Sequence, residues 1–188
     1  MTISIHQPNF FPWYPFFQKV EKSQKFILLN QSQFQKNNLQ NRFSMDDKWY
    51  TISVNRGLDP IFTKKYLSPT DDWERIKKSL PEYKKILEKF DPFIGHDLKD
   101  TNTNIIKKIC DIIEVDTEIL SDYPTELKAS ERILDICLKF EASTYISGIS
   151  GKKYLDLEIF KKNGIEVFFQ KEEEMIKEPI LKILKKYV

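Results

Sequence analysis

A chain of 188 residues suits one domain, or one domain with an embellishment. With 40% apolar residues it can build a packed core, which excludes a disordered chain; 30 Lys plus Arg against 28 Asp plus Glu leave a formal charge of +2, which offers no basic footprint for nucleic acid. No stretch approaches the length of a membrane span, and Met1 to Ile5 runs into His6 and Pro8 without a cleavage signal, so the expected compartment is the cytoplasm, work at the inner face of a membrane included.

Ile3-Ser4-Ile5 fits a first strand. Pro8 and Pro12 then break regularity, and Trp13 to Val20 has the apolar density of a helix. Lys25 to Leu29 is a second strand, because Phe26 to Leu29 is the continuous apolar run expected of a sheet buried on both faces. Strand, turn, helix and strand in roughly thirty residues make a βαβ unit, with parallel strands and a right-handed crossover. Asn30 to Asn41 reads as a polar loop, Lys48 to Val54 as a strand with two different faces, and Lys64 to Leu67 as another short strand.

The middle of the chain is helical. Asp71-Asp72 opens a run through Trp73, Ile76 and Leu80, the acids suiting the positive end of a helix. Pro81 begins a second helix through Tyr83, Ile86, Leu87 and Phe90, and a third covers Asn104 to Ile113. Residues 70–114 are thus expected to be a helical insert or lid beside the sheet. The final third returns to α/β order. Thr117 to Leu120 is a short strand, and Ser130 is the expected N-cap of a helix carrying Ile133, Leu134, Cys137 and Phe140. Thr144 to Ile146 is a strand, Ser147 to Gly151 a tight turn, and a helix with Tyr154, Leu157 and Phe160 follows. Gly164 stops that helix before the last strand, Ile165 to Phe169; residues 171–188 form an acidic linker and an amphipathic helix with Ile180, Leu181, Ile183 and Leu184 inward. The expectation is a single α/β domain over 1–188: three layers, a mainly parallel sheet and a helical insert.

Two turns carry the candidate chemistry. His6-Gln7-Pro8-Asn9 directly follows the first strand, and ligands of parallel α/β sheets bind beyond the carboxyl ends of strands. His6 exchanges protons near neutral pH, and Gln7 and Asn9 each offer donors and acceptors. The competing reading is a buried histidine that ties the turn to a carbonyl. Ser147-Gly148-Ile149-Ser150-Gly151 lies between a strand and a helix, where two glycines let the backbone approach a ligand and amides plus hydroxyls make an anion cradle. It lacks the Gly-Lys-Ser/Thr ending of a P-loop, and Gly151 comes one position too soon for a nucleophile elbow. Capping serines in a tight turn are the bland alternative. From the loop after the second strand, Gln33, Lys36, Asn41 and Arg42 reach toward the same edge, Arg42 as a bidentate clamp for phosphate or carboxylate, or else as a surface ion pair. Trp13 and Tyr154 complete the expected substrate contacts. With only His6 and His96 as histidines and no ligand-spaced Cys or carboxylate cluster, neither metal nor cofactor is expected, and Cys110 and Cys137 read as small core residues.

The chain resembles the WbqC-like protein family. The resemblance is carried by Ile5-His6-Gln7-Pro8-Asn9 with Pro12-Trp13, the Phe26-to-Leu29 strand with Gln33-Phe34, Asn41-Arg42 and Trp49. Trp73 and Tyr83 follow, then Glu131 to Leu134, Tyr145 to Gly148, Ser150-Gly151, Tyr154-Leu155 and Gly164 to Val167. It implies a role in bacterial surface glycan biosynthesis of the O-antigen or lipopolysaccharide kind, and points at His6, Gln7, Asn9, Arg42, Ser147, Gly148, Ser150 and Gly151. The lysine-rich stretch 171–188 departs from the family pattern. The opening also looks like the nucleotidyltransferase-type, Rossmann-like α/β fold, although only His6 stands where such enzymes use two histidines.

The expected function is that of a transferase moving an acyl or related group to a sugar or nucleotide-sugar, with an acyl donor as second substrate. His6 would be general base or polarising donor, Gln7 and Asn9 would orient the acceptor, and Arg42 with the Ser147-to-Gly151 turn would hold an anionic group. The alternative is a non-catalytic binding or assembly protein of a glycan-synthesis complex, which would bind without turnover and use its lysine-rich helices as contact surface.

Overall fold

A computed structural model describes residues 1–188. In chain order the strands are β1 Thr2–His6, β2 Lys25–Leu28, β3 Arg42–Met45, β4 Lys48–Thr51, β5 Glu118–Ser121, β6 Thr144–Ser147 and β7 Glu166–Phe169. The helices are α1 Tyr14–Glu21, α2 Pro69–Ser79, α3 Lys84–Leu87, α4 Leu98–Ile112, α5 Ala129–Lys139, α6 Leu157–Lys162 and α7 Ile180–Leu184.

Five strands form one sheet in the order β5-β2-β1-β6-β7, every neighbouring pair parallel, while β3 and β4 form a separate antiparallel hairpin. The chain builds outward from β1 through β2 to β5, then crosses back over β1 to lay down β6 and β7. The strand order therefore reverses between β1 and β6, and at such a switch point the connections leave in opposite directions and open a crevice at the carboxyl edge.

Side-chain alternation along β1 decides what lies above and below the sheet. Ile3 and Ile5 point to one face and pack with Ile27, Ile133, Ile136, Tyr145 and Phe160 beneath α5 and α6. Ser4 and His6 take the other face, where Phe26 and Leu28 meet Phe16, Phe17 and Val20 of α1. That second core has 30 residues against 9, because it runs on through the hairpin, α2, α3, α4 and α7. Most of the apolar burial, worth about 1.5–3 kcal/mol for each large side chain, thus lies on the α1 side of the sheet. The result is the three-layer, mainly parallel α/β architecture that the sequence pattern indicates. No helix is long and apolar enough to cross a membrane.

Some boundaries differ for physical reasons. Helix α4 begins at Leu98 rather than Asn104: Asp97 caps it by accepting from the Asp100 amide, and the polar Asn102 inside it is fully buried, donating to the Pro8 and Gln40 carbonyls. Ser130 does not cap α5; its hydroxyl accepts from the Asp156 amide and donates to the Tyr154 carbonyl. Lys64 to Leu67 forms only isolated bridges, Val54 with Tyr66 and Lys65 with Asp97. Between Pro81 and Phe93 the backbone winds in short helical turns around α3. Cys110 and Cys137 are free and buried, their thiols pushed up to about 12 by desolvation.

Candidate functional site

The β1–β6 register aligns Ser4 with Ile146; two residues further along each strand, His6 comes level with Gly148. Both line a cleft of about 420 Å³ with Ile149, Ser150 and Lys153 of the second turn, Trp13, Phe16 and Lys19 around α1, and Gln170, Glu172, Met175 and Lys177 after β7. The volume is that of a small-molecule site. The two turns, some 140 residues apart in sequence, share this cleft because β1 and β6 are neighbours at the sheet's switch point.

His6 sits at the end of β1 with its ring edge-on to Phe16, centroids 5.1 Å apart. Its Nδ1 lies 3.0 Å from the Gln7 carbonyl, which can only accept, so Nδ1 carries the proton and Nε2 keeps its lone pair. Desolvation, reinforced by the charge of Lys19, lowers its pKa to about 3, and the imidazole stays neutral through the physiological range.

Lys19 is 1% exposed, and its Nζ donates to the Ile5 carbonyl at 3.0 Å. No carboxylate pairs with it; the nearest aromatic face is Phe26, 5.5 Å from Nζ. Burial lowers its pKa to about 7, so near neutrality it is divided between amine and ammonium. A lysine whose charge is so weakly compensated, in a cleft beside a histidine, is the kind of group that active sites tune. Sequence reasoning passed over it. The signal was present, since Lys19 falls three residues after Phe16 on the apolar face of α1.

The remaining sequence-derived residues divide. His6, Trp13, Gly148 and Ser150 line the cleft together. Gln7 does not: its Oε1 accepts from Gln40 Nε2 at 2.7 Å. Asn9 is buried, and the Asn41 amide donates to the Ile52 carbonyl. The turn that holds Gln7 and Asn9 joins the sheet to α4 through Asn102 Nδ2, which donates to the Pro8 carbonyl at 2.8 Å. Arg42 stacks on Trp49, with 4.1 Å from Cζ to the ring centroid, and donates to the Asn37 carbonyl. Gln33 and Lys36 are exposed on the loop before β3. Alternation along β6 puts Ser147 with Tyr145 on the α6 face, where it is 1% exposed. Gly151 covers it so closely that a Cβ there would come within 3.2 Å of Leu155 and Phe169 and closer still to Ser147 Oγ. Tyr154 is exposed outside the cleft. His96 is remote; its Nδ1 lies 3.0 Å from the Tyr66 carbonyl.

The wall formed by Gln170, Glu172, Met175 and Lys177 comes from the segment that follows β7. Gln170 Nε2 donates to the Pro15 carbonyl at 2.8 Å and fixes this segment against α1. Lys177 pairs with Glu172, whose carboxyl is thereby held below its ordinary range. Three lysines face one glutamate, so the cleft favours an anionic ligand. No three His, Cys, Asp or Glu side chains converge anywhere to hold a metal.

Fold and site together define a doubly wound parallel α/β protein with a cationic cleft at its switch point. The chain belongs to the WbqC-like protein family, whose model matches residues 7–178. It is also similar to the uncharacterized protein Rv1507c of Mycobacterium tuberculosis, 23% identical over 184 residues, covering 88% of this chain and 80% of that protein. No solved structure matches.

Proposed function

We propose that this protein is a cytoplasmic enzyme of bacterial surface polysaccharide biosynthesis, moving an acyl or related group onto a sugar or nucleotide-sugar in the cleft beside His6. One observation carries the reading: a neutral imidazole and a weakly compensated lysine share a cationic small-molecule cleft at the strand-order reversal.

In such a transfer a sugar hydroxyl or amine attacks the acyl carbonyl, a base takes its proton, and the departing donor group takes a proton back. A base works best with a pKa near the working pH, so Lys19 is the better proton acceptor. His6 presents Nε2 as a hydrogen-bond acceptor that orients the attacking group. Lys153, Lys177 and the Gly148-to-Ser150 backbone border the space for an anionic portion such as a diphosphate. Gln7 and Asn9 act from behind as positioning residues, and Arg42 acts through Trp49.

The test is turnover of a nucleotide-sugar with an acyl donor by wild type, His6→Ala and Lys19→Met. Loss of activity in both folded variants, with binding retained, is expected. Full activity in either removes that residue from the mechanism. A second reading, a non-catalytic binding or assembly protein, draws support from His6 itself, since an imidazole held neutral in apolar surroundings is a recognition element as readily as a catalyst. It is favoured if nucleotide-sugars raise the melting temperature while no donor yields product.

A further inference from the structure

A second groove, of about 530 Å³, adjoins the His6 cleft and shares Trp13 and Lys177 with it. Of the three tryptophans, Trp73 is buried, its Nε1 donating to Asp91, whereas Trp13 and Trp49 are 42% and 52% exposed and both line this groove. Exposing two indoles on one concavity leaves a large apolar area in water without any packing gain, which marks a surface built for a ligand.

Local structure holds both rings in place. Phe11 has a left-handed backbone, φ 44°, just before Pro12, and its ring is packed against Phe43, Trp73 and Phe90; this turn presents Trp13 at the rim. Trp49 lies opposite Ser44 in the β3–β4 hairpin, and the Arg42 guanidinium is stacked on its ring, so an indole that would otherwise rotate is fixed. The Arg42 Nε is buried without a partner, and its Nη2 donates to the Asn37 carbonyl, which helps hold the guanidinium over the ring.

The polar lining indicates the occupant. Three acids, Asp46, Asp47 and Glu178, stand against two lysines, so this groove does not favour phosphate as the cleft does. Asp46 is engaged by Lys182 at 2.7 Å, which leaves the Asp47 and Glu178 carboxylates and the Ser44 hydroxyl on the groove lining. So many charged groups disfavour an acyl chain. A pyranose fits the combination, because its C–H face lies on an indole while its hydroxyls donate to carboxylates around the rim.

We propose that the groove between Trp13 and Trp49 is a sugar subsite, seating the pyranose of a phosphorylated sugar whose phosphate reaches past Lys177 into the His6 cleft. The inference rests on the functional reading above and deepens it: the ligand is bipartite, with anion over Lys153 and Lys177 and sugar over the tryptophans, its reacting edge at Trp13, which also lines the cleft of His6 and Lys19.

Saturation-transfer NMR on the full chain, with UDP-N-acetylglucosamine and UDP as probes, tests it in wild type, Trp49→Ala and Lys153→Met. Trp49 is exposed, so its removal leaves the core intact. The expected result is a fivefold or greater loss of saturation on the sugar-ring protons in Trp49→Ala, with UDP affinity within twofold of wild type and about tenfold weaker binding of both probes to Lys153→Met. Unchanged sugar-ring saturation in Trp49→Ala, with both probes still bound in a Lys153-dependent manner, overturns the subsite and leaves the functional reading standing. If neither probe binds wild type at millimolar concentration, both fall. Quenching of tryptophan fluorescence by octanoate, but not by the nucleotide-sugar, overturns the subsite in favour of an acyl chain.

Discussion

Three lysines are buried in this molecule; Lys77 is paired with Glu74 and Asp91, and the surroundings of the other two differ in kind. Lys64, fully inaccessible, lies in the irregular segment between β4 and α2; its Nζ donates to the carbonyls of Asn55, Arg56 and Gly57 at 2.7, 3.2 and 3.0 Å, with the Asp59 carboxylate at 3.7 Å and the Phe34 ring 5.0 Å away. All three ammonium donors are used, and the charge replaces water as the centre of a loop that would otherwise leave its carbonyls unpaired. Lys19 has one carbonyl and no carboxylate, and it lines a cleft. A saturated buried charge serves the fold, whereas an unsaturated one beside open space remains available for chemistry.

The largest expected effect tests that contrast from the structural side. Lys64→Met should lower the free energy of unfolding by about 3 kcal/mol, read from urea denaturation, because three loop carbonyls lose the donor they share. Lys19→Met should behave otherwise: stability at pH 7 unchanged or higher, but turnover down by about 10²–10⁴-fold, the usual contribution of a general base. The sign with pH is separable too. With a folded pKa of about 7 against an ordinary 10.5, the unfolded chain binds more protons at Lys19 between those values, so wild type gains stability as pH rises through that window. Lys19→Met should lack that gain, as denaturation at pH 7 and 9.5 would show. Equal destabilisation of the two variants would end the distinction between the lysines.

How much of this was legible follows the same division. The sheet was legible, because Phe26 to Leu29, Tyr145-Ile146 and the glycine-marked turns are local signals, and the neighbouring of β1 and β6 follows from how parallel units wind. The meeting of His6 with Gly148 and Ser150 was legible for the same reason. Gln7 and Asn9 were chosen for their donors and acceptors, but whether such groups face a ligand or a partner such as Gln40 depends on residues distant in sequence. Asn102 is the clearest case: a polar residue at a fully buried position, ordered by Pro8, Gln40 and Tyr66, three segments that no local window includes. The wall supplied by Gln170 to Lys177 was hidden because a polar, irregular stretch has no period to read.

Within the second turn the contrast between fold and site recurs on a smaller scale. At Gly151 an added methyl would meet Ser147, Leu155 and Phe169, and Gly151→Ala should lose about 1–3 kcal/mol. At Gly148 the nearest atom to an added methyl is Gln170 Oε1 at 3.9 Å, so Gly148→Ala should melt with wild type while narrowing the cleft. A several-fold loss of ligand affinity without loss of stability is expected for Gly148→Ala, and the reverse order for Gly151→Ala, by parallel thermal melts and titrations. If Gly148→Ala melts as early as Gly151→Ala, the turn is packed throughout and its glycines say nothing about a ligand.

Over a single pH unit, the smallest effect concerns the imidazole. Held near 3 in the fold against an ordinary 6.5, His6 binds fewer protons than the unfolded chain between those values, so its contribution to stability is complete above about pH 6.5 and is lost as pH falls toward 3. The loss should be on the order of 1 kcal/mol per pH unit within that window. Carboxylates titrate there as well, so the readout is the difference between wild type and His6→Gln, which keeps a polar side chain but no titrating ring. That difference should narrow steadily from pH 6.5 to 4, wild type losing the more. Bound anion should make that narrowing shallower, because a negative charge in the cleft stabilises the protonated ring, brings its pKa closer to the ordinary value and lifts the pKa of Lys19 in the same direction. An anion that steadies the protein at pH 7 yet leaves the pH dependence of this difference unmoved would be bound elsewhere, and the cleft beside His6 would lose its claim to it.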